Sequence, residues 1–341
     1  MKNVLLHLLT ILFFSSFVSS SQAESPTAPP VDNNLVILAS DAHFAPEPLV
    51  RYAVPVMDKG EPTIDFTYEK TNRPGEYRVE IDTQANLRQF VAEVLAMNPR
   101  PACVILLGDD VQIPEESSYR SFRTFFKPWD DAGIRYVKIM GNHDHPIVRE
   151  SNSSYLAVFP ETQTASISPS PLWQAFKVSL PALDFVILET FDPLRNDYKN
   201  WFSPEQIQKY GSNDTYLRYY GAFLPDQRKW LKSVLDSQPA DRPLFFCGHH
   251  LVNFDSFLPE YRNYPQLQGW IHGHFHKFYL PKELGIRALS LPSSGVLGVG
   301  KRQIWPSYVK MEILDKSYRF TLQSLDKNAP ENGRVLEFPK N

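Results

Sequence analysis

Aspartate, asparagine and histidine residues recur in this sequence directly after short apolar runs. The clearest case is Ile105-Leu106-Leu107, which is followed by Gly108-Asp109. Other runs end in the same way, in the blocks Asp41-Ala42-His43, Gly141-Asn142-His143-Asp144, Gly248-His249-His250 and His272-Gly273-His274-Phe275-His276. Carboxylate, amide oxygen and neutral imidazole together suit borderline ions such as Zn, Mn, Fe or Co. We therefore predict a site in which Asp109 bridges two metal ions whose other ligands come from these other blocks.

The histidines are concentrated around these blocks. The chain has nine, and all except His7 lie in the blocks or directly beside them. Histidines with separate core or surface roles would be scattered, so this distribution supports a metal site. Neither cysteine belongs to the set, which argues against a structural zinc site of the finger type. Cys103 and Cys247 lie in apolar runs, and we interpret them as buried hydrophobic residues rather than a disulfide.

Residues 1–23 have the pattern of a secretory signal peptide. Lys2 supplies the positive charge, Val4–Val18 the apolar stretch, and Ser21-Gln22-Ala23 a cleavage site with small residues. We therefore predict a secreted or periplasmic protein, cleaved near Ala23, with no membrane attachment after cleavage.

The remainder of the chain is predicted to form one domain. Residues 24–34 are a Pro-rich tether and 35–341 a single domain, with insertions at about 44–81 and 190–220. The formal net charge is −3, and loss of the leader with Lys2, its only charged residue, makes it −4. A mildly acidic chain gives no support for binding a nucleic-acid polymer, so attraction for phosphate must come from the site itself. The oligomeric state stays open.

The order of the apolar runs predicts how the blocks are brought together. In the first half, three strands alternate with helices, which favours a parallel sheet: Leu35–Ser40, a helix from Asp82 or Thr83, Ala102–Leu107, a helix containing Phe122 and Phe126, and Ile134–Met140. In the second half, we predict two hairpins, one of Phe176–Leu180 with Asp184–Leu188 and one of Tyr308–Leu314 with Tyr318–Ser324. Between them we predict a helix that begins at Leu224-Pro225-Asp226 and a buried strand at Leu244–Cys247. A further hairpin, Thr63–Tyr68 with Glu76–Ile81, is predicted in the first insertion. The predicted fold class is α/β: a two-sheet β-sandwich flanked by helices, with the blocks at strand carboxyl ends.

Taken together, the blocks resemble those of the calcineurin-like metallophosphoesterases. The family's five blocks appear here in order as Asp41-x-His43, Gly108-Asp109, Gly141-Asn142-His143-Asp144, Gly248-His249 and Gly273-His274-x-His276. One block alone would be weak evidence, but five in order, each after an apolar run, are specific. The resemblance implies the family's four-layer fold, a binuclear metal centre, and hydrolysis of phosphomonoesters or phosphodiesters.

The resemblance also implies a role for each matched residue. The first metal would be bound by Asp41, His43 and His276, the second by Asn142, His249 and His274, and Asp109 would be shared. These metals would be two divalent or trivalent transition ions, Mn, Fe, Zn or Co, and would activate a hydroxide to attack a small phosphate-ester substrate. His143 would protonate the leaving group or stabilise phosphoryl charge, with Asp144 orienting its imidazole.

Departures from the pattern narrow the choice of branch. Gln112 stands where purple acid phosphatases carry a tyrosine ligand, and Asp144 stands where their third block normally ends in glutamate. Val111-Gln112-Ile113 also lacks the Asp-Arg-Gly extension of the serine/threonine phosphatases. The chain therefore resembles the broad phosphodiesterase-like branch most.

Two other functions and several residue roles stay open at this point. A non-catalytic scaffold of the same fold is one alternative, and a metal hydrolase acting on another bond is the second. We interpret His250 as a neighbour of a metal ligand or of the substrate, and His145 and His272 as packing or hydrogen-bonding residues. Asp110 either supports the ligands or lies in a solvated loop.

Overall fold

The strands carry unbroken apolar runs because both of their faces are covered. A computed structural model describes residues 29–53, 57–58, 61–62, 68–70, 77–145, 153–170, 173–190, 220–281, 286–296 and 305–341. In the first strand, Val36 and Leu38 point into the core between two sheets, while Ile37 and Ala39 point into a second core beneath helices. Because side chains alternate along a strand, a strand covered on both faces must be apolar at every position.

The first sheet has six strands in the order β18-β17-β16-β1-β7-β8. They are β1 (Val31–Ala39), β7 (Arg100–Leu106), β8 (Tyr136–Lys138), β16 (Ser307–Ile313), β17 (Ser317–Ser324) and β18 (Val335–Pro339). Strands β1, β7 and β8 are parallel, as the alternation of strands and helices predicted, while β16, β17 and β18 are antiparallel. The predicted hairpin at Tyr308–Leu314 and Tyr318–Ser324 is confirmed as β16 and β17.

The second sheet has five strands in the order β15-β14-β12-β10-β9. They are β9 (Ala175–Ser179), β10 (Asp184–Leu188), β12 (Leu244–Gly248), β14 (Leu267–His272) and β15 (Ala288–Ser290). Only β9 runs antiparallel to its neighbour, so the predicted hairpin of β9 and β10 is confirmed. Cys103 and Cys247 are both buried between the two sheets as free thiols, as predicted.

Helices cover the outer face of each sheet. Over the first sheet lie α1 (Thr83–Leu95), α2 (Glu116–Thr124), α3 (Lys127–Ala132), α4 (Ser153–Val158) and α5 (Pro160–Thr164), and over the second α6 (Pro225–Ser237), α7 (Phe254–Phe257) and a 3-10 turn (Pro259–Asn263). The helix α1 begins where the sequence indicates, because the Asp82 side chain accepts a hydrogen bond from the Ala85 amide at 2.9 Å. The result is the predicted α/β fold of two sheets flanked by helices.

The first insertion forms its own small sheets. One has three strands, β2 (Leu49–Ala53), β5 (Tyr68–Lys70) and β6 (Tyr77–Ile81), in the order β2-β6-β5, and the other pairs β3 (Met57–Asp58) with β4 (Glu61–Pro62). Outside this insertion, β11 (Tyr220–Gly221) pairs with β13 (Leu251–Val252). The second predicted strand of this insertion is therefore confirmed. The first, Thr63–Tyr68, lies outside the described residues except for Tyr68, which begins β5.

Several predictions fall outside what the structure describes. The signal peptide at 1–23 lies there completely, as do residues 24–28 of the tether and residues 191–219 of the second insertion. Among the helices that are described, none is both long and apolar enough to cross a membrane.

Candidate metal centre

The predicted ligand blocks all lie at the carboxyl ends of parallel strands. In the first sheet they follow β1, β7 and β8, which are hydrogen-bonded neighbours. In the second sheet they follow β12 and β14, which are also neighbours. Backbone bonds join the loops directly: the Asp41 amide donates to the Gly108 carbonyl at 2.8 Å, and the Gly273 amide to the His249 carbonyl at 2.9 Å. The sandwich therefore gathers all five blocks at one edge.

One half of the site is formed by Asp41, His43 and His276. Nε2 of His276 lies 3.1 Å from Oδ1 of Asp41 and 3.0 Å from Nε2 of His43. The ligand atoms of these three residues lie within 4.8 Å of one another, which is compact enough for one metal ion. The structure thus brings together the set that the resemblance implies for the first metal.

The other half contains Asn142, His249 and His274. Nε2 of His249 lies 3.0 Å from Oδ1 of Asn142, while its Nδ1 lies 2.7 Å from the Leu107 carbonyl. Because a carbonyl oxygen only accepts, Nδ1 carries a proton there and Nε2 is the atom directed at the site. The His274 ring is 5.3 Å from the His249 ring, and the His274 amide donates to the carboxylate of Asp41 at 3.0 Å, which links the two halves.

Asp109 lies between the two halves. Its Oδ2 is 3.2 Å from Nε2 of His249 and 3.7 Å from Nε2 of His43. Its Oδ1 accepts a hydrogen bond from the His143 amide at 2.7 Å. One carboxylate that faces an imidazole from each half has the placement that a bridging ligand needs.

The backbone is strained at these positions. In the described part of the chain, five non-glycine residues have positive φ, and all are predicted ligands: Asp41 (56°), His43 (44°), Asp109 (52°), His274 (69°) and His276 (53°). A left-handed conformation at a non-glycine residue costs about 1–3 kcal/mol and clusters at functional sites. The fold therefore holds these side chains in place against a local conformational preference.

Electrostatics keep the donors in forms that bind metals. Burial would raise the pKa of Asp41, but the His276 imidazole outweighs it and lowers the pKa to about 2. In the same way, His249 and His43 lower the pKa of the buried Asp109 carboxyl despite desolvation. Burial lowers the pKa of His43 to about 3 and that of His274 to about 4, so both imidazoles are neutral at physiological pH.

His249 is the exception. Burial disfavours its charged form, but Asp109 outweighs this and raises the pKa of His249 to about 10. A metal at this position would displace that proton. Among the described residues, Nδ1 of His43 and Nδ1 of His276 have no hydrogen-bond partner although both are buried. Ionised carboxylates, one amide oxygen and imidazoles whose Nε2 atoms converge fit borderline transition metal ions.

His143 lies at the edge of this cluster. Its ring centroid is 4.7 Å from that of His43, and its Nδ1 is 3.2 Å from the Gln112 carbonyl. The carbonyl fixes the proton on Nδ1 and leaves Nε2 for interaction with a substrate. The same contact shows how Gln112 acts here: its backbone oxygen positions the imidazole that the sequence predicts to be catalytic.

Asp144 has a different role from the one expected. Its Oδ2 accepts hydrogen bonds from the amides of Gly141 (2.8 Å) and Asp110 (3.1 Å), and its Oδ1 accepts one from the Val111 amide (3.1 Å). The imidazole of His143 is bonded to Gln112 instead. The prediction that Asp144 orients this imidazole is therefore wrong: its carboxylate holds together the two loops that carry Asp109 and Asn142. Burial, to which Asp110 and Asp109 add, raises the pKa of Asp144 to about 8, against the lowering effect of the Gly141 amide.

A buried ion pair between Asp110 and Lys138 joins the loop after β7 to strand β8. Asp110 is not in a solvated loop, because it is 2% exposed and pairs with Lys138 of β8, which is 3% exposed. The Lys138 ammonium also lies over the ring of Phe159, 3.4 Å from its centroid, and the Tyr155 hydroxyl donates to Asp110 at 3.3 Å. Sequence reasoning missed Lys138, although a lysine between the apolar residues Val137 and Ile139 was a visible signal.

Three further histidines, which are neither predicted ligands nor the predicted catalytic imidazole, also have defined partners. Nδ1 of His272 lies 2.8 Å from the Gly273 carbonyl, and Nδ1 of His250 lies 2.9 Å from the Thr190 hydroxyl. Nε2 of His145 lies 3.1 Å from a carboxylate oxygen of Glu189, a buried residue that sequence reasoning did not single out.

The α/β sandwich thus gathers, at the carboxyl ends of its strands, aspartate and histidine side chains that could hold metal ions. The chain belongs to the calcineurin-like phosphoesterase family, whose sequence profile matches residues 36–278. This membership confirms the resemblance stated from the sequence. The comparison with curated proteins found no match.

Several solved structures are similar to this chain. Purple acid phosphatase PPD1 from yellow lupin (Lupinus luteus) seeds is 11% identical, with a TM-score of 0.50 over 90% of this chain and 53% of the lupin chain. The chain thus spans about half the length of the lupin enzyme. GAP50 of Plasmodium is 8% identical, with a TM-score of 0.45 over 90% of this chain and 89% of its own. A predicted phosphoesterase from Streptococcus pneumoniae is 13% identical, with a TM-score of 0.35 over 90% and 97%.

Proposed function

We propose that this chain is an exported phosphoesterase that uses two metal ions to hydrolyse phosphomonoesters or phosphodiesters. The observation that carries the proposal is the position of Asp109, whose one carboxylate oxygen faces His249 at 3.2 Å and His43 at 3.7 Å. Around it, the remaining donors separate into two compact groups. A binuclear centre with a shared carboxylate is the arrangement that this geometry supports best.

The residues that would hold each ion follow from these groups. Asp41, His43 and His276 would hold the first, and Asn142, His249 and His274 the second, with Asp109 common to both. When bound, two such ions supply Lewis acidity for the phosphoryl oxygens and a nucleophile from water at neutral pH. The neutral imidazoles and ionised carboxylates described above are the donor forms that Mn, Fe, Zn or Co require.

His143 is proposed to act on the leaving group. Its Nδ1 proton is held by the Gln112 carbonyl, while its backbone amide is bonded to Asp109 at 2.7 Å. The ring is therefore positioned relative to the bridging carboxylate itself. Its Nε2 can present a proton to a departing oxygen or a positive charge to the phosphoryl group. Asp144 supports this arrangement through the backbone of the adjoining loops.

Substrate class and location are part of the proposal. The glutamine at 112 provides an amide where a phenolate ligand would be needed for a purple centre, which favours the phosphodiesterase-like branch. A small phosphate ester is the proposed substrate, since the chain is mildly acidic overall and carries formal net charge −3. The leader sequence Met1–Ala23 supports export to the periplasm or outside the cell.

The proposal is tested by hydrolysis of bis-p-nitrophenyl phosphate and of p-nitrophenyl phosphate. The protein is stripped with a chelator and then supplied separately with Mn, Zn, Fe or Co. We expect metal-restored hydrolysis of at least one substrate, and near-complete loss of it in Asp109→Ala. A metal-loaded, folded protein that hydrolyses neither ester would contradict the proposal and favour a non-catalytic scaffold or another scissile bond.

A further inference from the structure

His145 and Glu189 form a hydrogen-bonded pair beside the metal centre, and none of the ligand roles uses it. Nε2 of the imidazole lies 3.1 Å from Oε1 of the carboxylate. The two partners differ greatly in exposure, since the His145 side chain is 24% exposed and that of Glu189 only 2%. A buried acid thus holds an imidazole that is itself partly exposed.

Glu189 is rigidly fixed. It directly follows β10, its amide donates to the Gln174 carbonyl at 2.9 Å, and its own carbonyl accepts from the Gln227 side chain of α6 at 2.7 Å. The second carboxylate oxygen accepts a hydrogen bond from the Gln174 amide at 3.3 Å. Burying a carboxylate is costly unless a cation or donors compensate it, so His145 is a component of this arrangement and not an incidental neighbour.

The backbone of His145 is equally well held. The preceding residue, Asp144, is bonded through its carboxylate to three loop amides, and its carbonyl accepts a hydrogen bond from the buried Tyr119 hydroxyl at 2.7 Å. His145 therefore extends from the same fixed loop as His143, two residues further along. Both ends of the pair, the loop and the strand terminus, are positioned before any substrate arrives.

The pair lies next to the half-site of His249 and His274. Thr190, directly after Glu189, accepts a hydrogen bond from the His250 amide at 3.0 Å and contacts Nδ1 of its ring at 2.9 Å. The His250 ring lies 4.8 Å from the rings of both His249 and His274. The two consecutive residues Glu189 and Thr190 thus hold one imidazole each on this side of the centre.

We infer that His145, positioned by Glu189, is a second imidazole that contacts the substrate and donates a hydrogen bond to an oxygen of the phosphate ester. This inference rests on the proposed function and adds to it a contact on the side of the second metal. With Nε2–H directed at Glu189, the protonated ring donates from Nδ1–H, which suits an anionic phosphoryl group. Glu189 is the positioning residue, because it acts on the substrate only through His145.

The test uses inorganic phosphate as the probe and metal-loaded, full-length protein. Calorimetry measures phosphate affinity without turnover, and competitive inhibition of p-nitrophenyl phosphate hydrolysis gives the inhibition constant of phosphate. His145→Ala should weaken phosphate binding and raise KM by about ten- to hundredfold, the loss expected for one charge-assisted hydrogen bond. Metal content should stay at the wild-type level. His145→Gln, which keeps a donor, should recover part of the affinity, and Glu189→Ala should weaken binding by less than His145→Ala.

Asp184→Asn is the matched control. It alters a buried acid with a cationic partner at the other end of the same strand, so it should leave phosphate affinity unchanged. Wild-type phosphate affinity in both His145 variants would overturn the inference while leaving the proposed function intact. Loss of metal in His145→Ala would also overturn it, by assigning His145 to the centre itself. A wild-type protein that neither binds phosphate nor hydrolyses an ester would overturn both.

Discussion

Replacing Gly141 with alanine should damage the metal centre through steric pressure alone. Gly141 is not among the residues with positive φ, so alanine meets no backbone penalty there. A Cβ atom, however, would lie within 3.0 Å of three atoms: N and Oδ1 of Asp109 and Nδ1 of His249. Two of the three belong to the bridging carboxylate residue, and the third belongs to a ligand of the second metal.

The expected size follows from these contacts. Ordinary contact begins at 3.4 Å, so the Asp109 atoms must retreat by about 1 Å. Overpacking of this kind costs about 1–3 kcal/mol of unfolding free energy, and the rigidity of the surrounding loops indicates the upper end of that range. Because Asp109 and His249 move together, metal affinity should fall by at least about 10- to 100-fold.

Gly133→Ala is the control, because alanine there strains the backbone without a steric clash. Gly133 has φ of 68°, but no heavy atom lies within 4 Å of a Cβ built there. Its substitution should cost about 1 kcal/mol through backbone strain and leave metal affinity unchanged. Urea unfolding of the chelated proteins measures the first quantity, and Mn titration by calorimetry the second. A Gly141→Ala protein with wild-type affinity and stoichiometry would refute the packing that we describe around Asp109.

Three further variants test separate parts of the structure. His143→Ala should keep its metals and lose about 10²–10⁴-fold in kcat, because only the group near the leaving oxygen is removed; a fully active variant, measured with the same ester substrates, would remove that role. Lys138→Met should lower the unfolding free energy by about 3–5 kcal/mol, because it leaves Asp110 buried without its cation. The double variant Lys138→Met, Asp110→Asn should recover much of that loss. A Lys138→Met protein as stable in urea as the wild type would argue against the buried pair. For Asp184, burial raises the pKa, but the hydrogen bond from Arg242 outweighs burial and lowers the pKa from 3.8 to about 2. The ionised carboxylate therefore stabilises the folded protein fully above pH 4, and this stabilisation is lost as pH falls towards 2. The difference in unfolding free energy between wild type and Asp184→Asn, about 1–2 kcal/mol because Arg242 is partly exposed, should therefore shrink across this window, and a constant difference would contradict the assignment.

The fold and the clustering of the candidate ligands could be predicted because the strands and the blocks that follow them show as local patterns, while the assignment of each block to a metal came from the family resemblance. An apolar run that ends in Gly108-Asp109 shows where the chain leaves the core, and it also shows which side chain lies at the end of the strand. The same is true of the blocks after β1, β8, β12 and β14. Strands with weaker patterns were harder: β18 was missed, and β8 is shorter than the apolar run Ile134–Met140 suggested.

The supporting contacts could not be predicted, because they join residues that only the tertiary structure brings together. Lys138 and Asp110 are 28 residues apart. His145 meets Glu189 only because β10 ends beside the loop after β8. For Asp144, the resemblance suggested an imidazole partner, but its short side chain is fully satisfied by amides of its own loop and of the loop after β7.

The central claim is that Asp109 is shared by two metal ions, and the most direct measurement is the spectrum and metal content of protein loaded with Mn. We expect two Mn ions per chain by elemental analysis and an electron paramagnetic resonance signal from an exchange-coupled pair, which Asp109→Ala should abolish. No bound Mn, or a single ion with an isolated Mn spectrum, would contradict the account.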